Sequence, residues 1–259
     1  MIAANGDVTI GWEEAGTGSP LLLIHGLGYA RWGWEPLAPL LAEHHRVISF
    51  DNRGVGESSV PAGPYTAAEM AGDALAVVDA AGVERAHLLG TSLGGMIAQE
   101  LAFIAPERVD RLVLIATTPG ATGGFPMPEV TVRLLAEAAE LPPDVALRRF
   151  VENALGPAPD PRLVERILAH RMTAPQDPAG WAAQAHAGTT YDGAGRAKAI
   201  TAPTLLISGT ADRVVDHRNS TALAELIPDA SVQLVPEAGH LVFWERPRLV
   251  ADLVMEHLA

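Results

Sequence analysis

Short, continuously apolar runs alternate with stretches whose apolar residues recur every three or four positions, and this rhythm sets the expected elements. Leu21 to His25, Arg46 to Asp51, Ala86 to Gly90 and Leu112 to Ala116 do not alternate apolar with polar, which predicts strands of a mainly parallel sheet covered on both faces. The helical stretches between them complete βαβ units. Val8 to Glu14, ahead of the turn-forming Gly16-Thr17-Gly18-Ser19-Pro20, predicts an antiparallel ribbon at the edge of that sheet. From Pro119 the character changes: glycines and prolines punctuate helical patterns and no strand-like run appears. Leu147, Phe150, Val151, Ala154 and Leu155 make one helical stripe, and Leu163, Val164, Ile167 and Leu168 another. Alternation resumes with a strand over Thr204 to Ser208, a helix through Ala222 to Ile227, a strand over Ser231 to Val235 and a last helix from Pro247 to Leu258. Residues 1–118 and 200–259 are therefore read as one core domain, interrupted by a helical cap over residues 119–199. The chain has no internal repeat and no low-complexity segment.

Composition narrows the functions open to such a domain. A 259-residue chain that is 48% hydrophobic is long enough to bury a substantial core. Its 18 Lys and Arg against 31 Asp and Glu leave a formal charge of -13, which repels phosphate backbones, so nucleic acid is not an expected partner. The absence of cysteine removes disulfides, thiolate metal sites and thiol nucleophiles together. The first residues lack a basic region followed by an apolar core, and no apolar run approaches a membrane span. These features lead to the expectation of a cytoplasmic protein without a membrane partner; they leave the oligomeric state open.

Chemistry enters at Gly90-Thr91-Ser92-Leu93-Gly94-Gly95, which follows a predicted strand and precedes the helical stretch Met96 to Ala105. A strand that turns so abruptly into a helix requires glycine at 90 and 94, because a Cβ at either would collide where the two backbones pass. Ser92 is thereby projected at a helix N-terminus, where free N–H groups favour developing negative charge. A hydroxyl needs a base, and the base needs a carboxylate to orient it. Asp212 follows the strand ending at Ser208, and His240 follows the strand ending at Val235, which places both beyond the carboxyl edge of the sheet. Asp216 is better read as a cap of the next helix. For an oxyanion, Leu93 N–H is one expected donor, and Leu27 N–H in His25-Gly26-Leu27-Gly28 is the other, with His25 as a support of that loop. Gly26-Leu27-Gly28 and Gly54-Val55-Gly56 lack the third glycine of a dinucleotide loop, since Arg31 and Ser59 stand there. Neither a metal nor an organic cofactor is expected.

Together His25-Gly26, Asp51-Asn52-Arg53-Gly54-Val55-Gly56-Glu57-Ser58, the segment around Ser92, Asp212 and Gly239-His240 resemble the α/β-hydrolase superfamily over nearly the whole chain. The chain looks most like its group of small esterases, 3-oxoadipate enol-lactonases and cofactor-free haloperoxidases (perhydrolases). The resemblance implies a mostly parallel eight-stranded sheet with helices on both faces and an inserted helical cap, and structural roles for Asp51 and Arg53. Serine at 92 separates the chain from haloalkane dehalogenases and epoxide hydrolases, which use aspartate there.

The implied activity is hydrolysis of small to medium apolar esters or lactones through an acyl-enzyme on Ser92. Alternatives on the same fold are hydrolysis of a carbon–carbon bond in a β-diketone or vinylogous acid, a ligand-sensing receptor, and cofactor-free oxygenase chemistry. Trp34, Phe125, Met127, Trp181 and Tyr191, with Leu27 and Leu93, are the candidates to line a substrate pocket, although packing accounts for each equally well. A substrate carboxylate would need a cation such as Arg31 or Arg133.

Overall fold

The computed structural model describes residues 1–138, 140–174 and 176–259. Its strands are β1 (Ile2–Asn5), β2 (Val8–Ala15), β3 (Ser19–Ile24), β4 (His45–Phe50), β5 (Ala86–Thr91), β6 (Val109–Ile115), β7 (Thr204–Gly209) and β8 (Ala230–Val235). They form one eight-stranded sheet in the order β1-β2-β4-β3-β5-β6-β7-β8. β1 pairs antiparallel with β2 and β2 with β4, while every later pairing is parallel. This is the α/β-hydrolase fold. The helices of the first half are α1 (Ala38–Leu41), α2 (Ala67–Ala80) and α3 (Leu93–Ile104), and those that close the chain are α8 (Arg218–Leu226), α9 (Val242–Glu245) and α10 (Pro247–Leu258).

Period-two geometry explains why the central strands are apolar throughout. In β3, Leu22 and Ile24 join the cluster that holds Met70, Ala74 and Ile97 of α2 and α3. Leu21 and Leu23 join the opposite cluster, with Leu37, Leu41 and Val250. The alternation that sequence patterns usually show is erased because both faces are covered. β8, at the open edge, keeps a partly exposed pattern.

β1 was not foreseen in the sequence. The four apolar residues Met1 to Ala4 are too short a run to mark a strand on their own, but Asn5 pairs with Val8 across a two-residue hairpin in which Gly6 takes φ +60°, as such tight turns demand. α3 also starts three residues earlier than the apolar pattern suggested, because Gly94 and Gly95 carry no side chain to mark its first turn.

Between β6 and β7 the chain runs through α4 (Glu129–Ala138), α5 (Pro143–Asn153), α6 (Pro161–Thr173) and α7 (Pro178–Thr190). An antiparallel bridge between Gly120 and Asp192 joins the entry and exit of this insertion. The α5 and α6 stripes bury Val151, Leu155, Val164, Ile167 and Leu168 against the cluster beneath them. No helix among the described residues is long and apolar enough to cross a membrane.

Candidate active site

Ser92 stands between β5 and α3 at φ 54° and ψ -122°, a conformation that costs a residue with a side chain about 1–3 kcal/mol and persists only where its surroundings enforce it. They do so here. Ser92 N–H donates to Ile115 O (2.9 Å), and Ser92 O accepts from Gly95 N–H (2.9 Å) and from Thr117 Oγ1 (2.7 Å). A Cβ on Gly90 would run into the Gly94 backbone, and one on Gly94 into Ile24 and His25. The glycines thus let strand and helix pass at a distance no other residue permits.

Sheet register explains how residues far apart in the chain reach one rim. Thr91 pairs with Ile115 and Ile115 with Ile207, while Gly209 pairs with Val235, so β5, β7 and β8 release Ser92, Asp212 and His240 at the same edge. Asp212 Oδ2 accepts from His240 Nδ1 at 2.8 Å, and both side chains are almost wholly buried. The other carboxylate oxygen, Oδ1, accepts from Val214 N–H (2.8 Å) and Val215 N–H (2.9 Å). With Nδ1 donating to the carboxylate, Nε2 is left with a lone pair, the form in which imidazole takes a proton.

Glu245 fixes the His240 loop, and nothing in the sequence pointed to it. Its Oε2 accepts from Gly239 N–H (2.6 Å) and its Oε1 from Gly156 N–H (2.9 Å). Leu241 N–H donates to Ala154 O at 3.0 Å. Through these bonds the histidine loop is stitched to the link between α5 and α6.

The loop after β3 lies across from Ser92: a Cβ on Gly26 would meet Ser92 Cβ at 3.0 Å and Oγ at 3.5 Å. Gly26 N–H donates to His25 Nδ1 (2.7 Å), and Asn52 Nδ2 donates to His25 O (2.9 Å). Among the described residues neither Leu27 N–H nor Leu93 N–H has a hydrogen-bond acceptor, which leaves two backbone donors unpaired beside the serine. Donors so disposed stabilise an anion forming on a bound carbonyl.

His25 is buried beside Tyr29 and Trp34, with ring centroids 4.6 and 4.7 Å away. Desolvation pushes its pKa down to about 3, with the charges of Arg171 and His240 acting in the same direction. It therefore stays neutral at working pH and serves the loop as a support. The unfolded chain binds this proton near pH 6.5, while the folded chain refuses it until about pH 3, so stability is full above pH 6.5 and is lost as pH falls between those values. Between pH 7 and 4.5 this single group should remove about 2 to 3 kcal/mol. Burial of His45, His87 and His257 pushes in the same sense. Urea unfolding at both pH values checks the expectation, and the loss should be smaller by that amount in His25→Asn.

The expected pocket residues divide by burial. Trp34 is 1% exposed and packs on His25 and on Phe243, 5.1 Å away, in the cluster under the loop. It carries core packing. Tyr191 is also a core residue, its phenol pushed above the ordinary value by burial and by Glu100. Phe125, 39% exposed, lies 4.1 Å from the Arg218 guanidinium; Met127 is 42% exposed. Trp181 is half-buried at the start of α7. An open cavity of about 570 Å³ behind the His240 loop, between Gly156 and Arg246, is bordered by none of the five. In sequence an aromatic near a loop looks the same whether it faces the substrate or the core.

The other assigned residues are tied up structurally. Asp51 accepts from Arg31 N–H (2.7 Å) and Glu57 N–H (2.9 Å). Arg53 makes a two-point buried contact with Asp73, at 2.5 and 2.8 Å. Asp216 accepts from Arg218 N–H and from its guanidinium, which holds the carboxyl below its usual range. Arg31 is committed to Asp51 and Glu57, and Arg133 pairs with Glu129, so neither offers a free cation to the site. Among the described residues no three His, Asp or Glu side chains form a group that could hold a metal ion.

A family model described as alpha/beta hydrolase fold matches residues 19–247. The chain belongs to this family. Over 98% of its length it is 33% identical to a protein of Azorhizobium caulinodans named as a carbamate hydrolase, RutD, 96% of which is covered. It is 30% identical to a Mycobacterium tuberculosis protein named as a non-heme bromoperoxidase, BpoC, with 97% of this chain and 98% of that one covered. The crystal structure of the enol-lactonase from Burkholderia xenovorans LB400 superposes with a TM-score of 0.85 at 28% identity, covering 100% of this hydrolase and 99% of the other.

Proposed function

We propose that this hydrolase cleaves carboxylic esters or lactones of small to medium, largely apolar substrates through an acyl-enzyme on Ser92. The observation that carries the reading is the buried 2.8 Å contact between His240 Nδ1 and Asp212 Oδ2 on the rim where a strained turn presents Ser92. In the proposed cycle His240 Nε2 takes the Ser92 proton as Oγ adds to the substrate carbonyl. Leu27 and Leu93 N–H receive the developing oxyanion. As the tetrahedral intermediate collapses, the proton passes from His240 to the leaving alkoxide and the acyl group stays on Ser92. Water, deprotonated by the same imidazole, then releases the acid.

Two further points favour an uncharged substrate. The chain carries a net charge of -13, and the guanidiniums considered for a carboxylate, Arg31 and Arg133, are already paired. The relatives named as a carbamate hydrolase and an enol-lactonase are consistent with attack on an acyl carbon.

A panel of p-nitrophenyl esters of increasing acyl length, several lactones, a p-nitrophenyl carbamate and a dienone of the carbon–carbon hydrolase type tests the reading. Ester or lactone turnover should exceed that of the dienone, and a fluorophosphonate should label Ser92 alone, as read by peptide mass spectrometry. Faster dienone cleavage, or labelling at another residue, would count against it.

A further inference from the structure

The face of α7 turned toward the core is built from small residues. Gly180, Ala183 and Ala187 are buried along it, at the i, i+3 and i+7 spacing of one helical stripe. Gly180 lies directly on the Gly54 backbone, where a Cβ on either residue would make a tight contact. This close approach brings the next turn of α7 within reach of the sheet's rim. There stands Gln184, the one polar residue of the stripe, 0% exposed. A buried primary amide is costly unless its hydrogen bonds are made. Gln184 Oε1 accepts from Gly28 N–H (2.9 Å), and its Nε2 donates to Arg53 O (2.6 Å).

Both partners belong to loops at the candidate site. Gly28 follows Leu27, whose N–H is the second expected oxyanion donor, and it sits at φ +70°, outside the range its neighbours' side chains allow them. Within residues 26–29 the loop's own backbone supplies one long hydrogen bond, from Tyr29 N–H to Gly26 O at 3.3 Å. The insertion supplies shorter ones on both sides of Gly28. Gln184 holds its N–H, while its carbonyl accepts from Arg171 Nη1 (2.6 Å) and from Gln176 Nε2.

We propose that Gln184 is a positioning residue for acyl transfer: by clamping Gly28 N–H to Arg53 O it orients the Leu27 peptide, so that the oxyanion donors are complete only with the helical insertion docked. The proposal rests on the acyl-enzyme reading of Ser92. Its signature is a defect confined to the transition state, because the clamp acts on a group that matters when charge develops on the carbonyl oxygen.

A p-nitrophenyl ester and its thionoester separate this role from packing, since a thiocarbonyl sulfur gains little from donors placed for oxygen. In Gln184→Met, kcat for the ester should fall by roughly 10- to 100-fold, short of the loss of a whole donor, with KM within about threefold. The thionoester should lose less than about threefold, so the ester-to-thionoester ratio drops. Arg171→Ala, which removes a bond from the other side of Gly28, should lower the same ratio by about 3- to 10-fold and keeps the test decisive if Gln184→Met does not fold. Equal losses on both substrates, or a change confined to KM, would overturn the role. Ser92→Ala measured alongside distinguishes the failures. Ester activity lost in Ser92→Ala with an unchanged ratio in the Gln184 and Arg171 variants overturns the positioning role alone, whereas activity that survives in Ser92→Ala overturns both readings.

Discussion

Ser92→Ala is expected to lower ester hydrolysis by roughly 10⁶-fold while changing stability by less than about 1 kcal/mol. The first half follows from chemistry: without Oγ there is no acyl-enzyme, and only polarisation of bound substrate by the unpaired Leu27 and Leu93 N–H groups remains. Such residual catalysis amounts to about 10³- to 10⁴-fold over water in comparable sites. The second half follows from the backbone. The bonds that enforce the turn run through Ser92 N–H and Ser92 O, and alanine keeps both. Alanine also tolerates positive φ in this chain, since Ala116 sits at 48°. Steady-state assay and thermal unfolding of the purified variant check the two halves independently. Retention of most of the activity by a normally folded variant would remove Ser92 from the reaction.

What could be read in advance, and what could not, divides along physical lines. The central strands were legible because burial on both faces leaves no polar position in Leu21 to Ile24 or Leu112 to Ile115. The turn at Ser92 was legible because steric demand is written directly as glycine at 90 and 94. α5 and α6 announced themselves by apolar stripes. α7 did not: small residues stand on every side of it, so the buried Gly180, Ala183 and Ala187 leave no hydrophobic period to detect. Gln184 was invisible for the same reason, since a glutamine among alanines reads as a solvated position until the chain shows what it touches. Glu245 escaped because its partners are backbone N–H groups of Gly156 and Gly239, and backbone donors carry no residue type. The walls that Trp34 and Tyr191 face were not legible, because apolar character says that a side chain is buried and not which wall it meets.

Asp212→Asn is expected to lower kcat by about 10⁴-fold with little change in KM, and the local hydrogen bonds dictate why. Asp212 Oδ1 is held by the N–H groups of Val214 and Val215. An asparagine in this place must keep its carbonyl oxygen toward them, since turning its amide nitrogen there would set donor against donors. Its NH₂ then faces His240 Nδ1, 2.8 Å away in the parent. To accept that donor the imidazole must move its proton to Nε2, and the nitrogen needed to take the Ser92 proton becomes a donor instead. The substrate still binds, so the defect lies in proton transfer. Full kinetics on the best ester, with melting temperature as a fold control, checks it. An asparagine variant that keeps more than about a tenth of the parental kcat would mean that another group orients His240. Asp216 would not fill that place, because its carboxylate is already committed to Arg218.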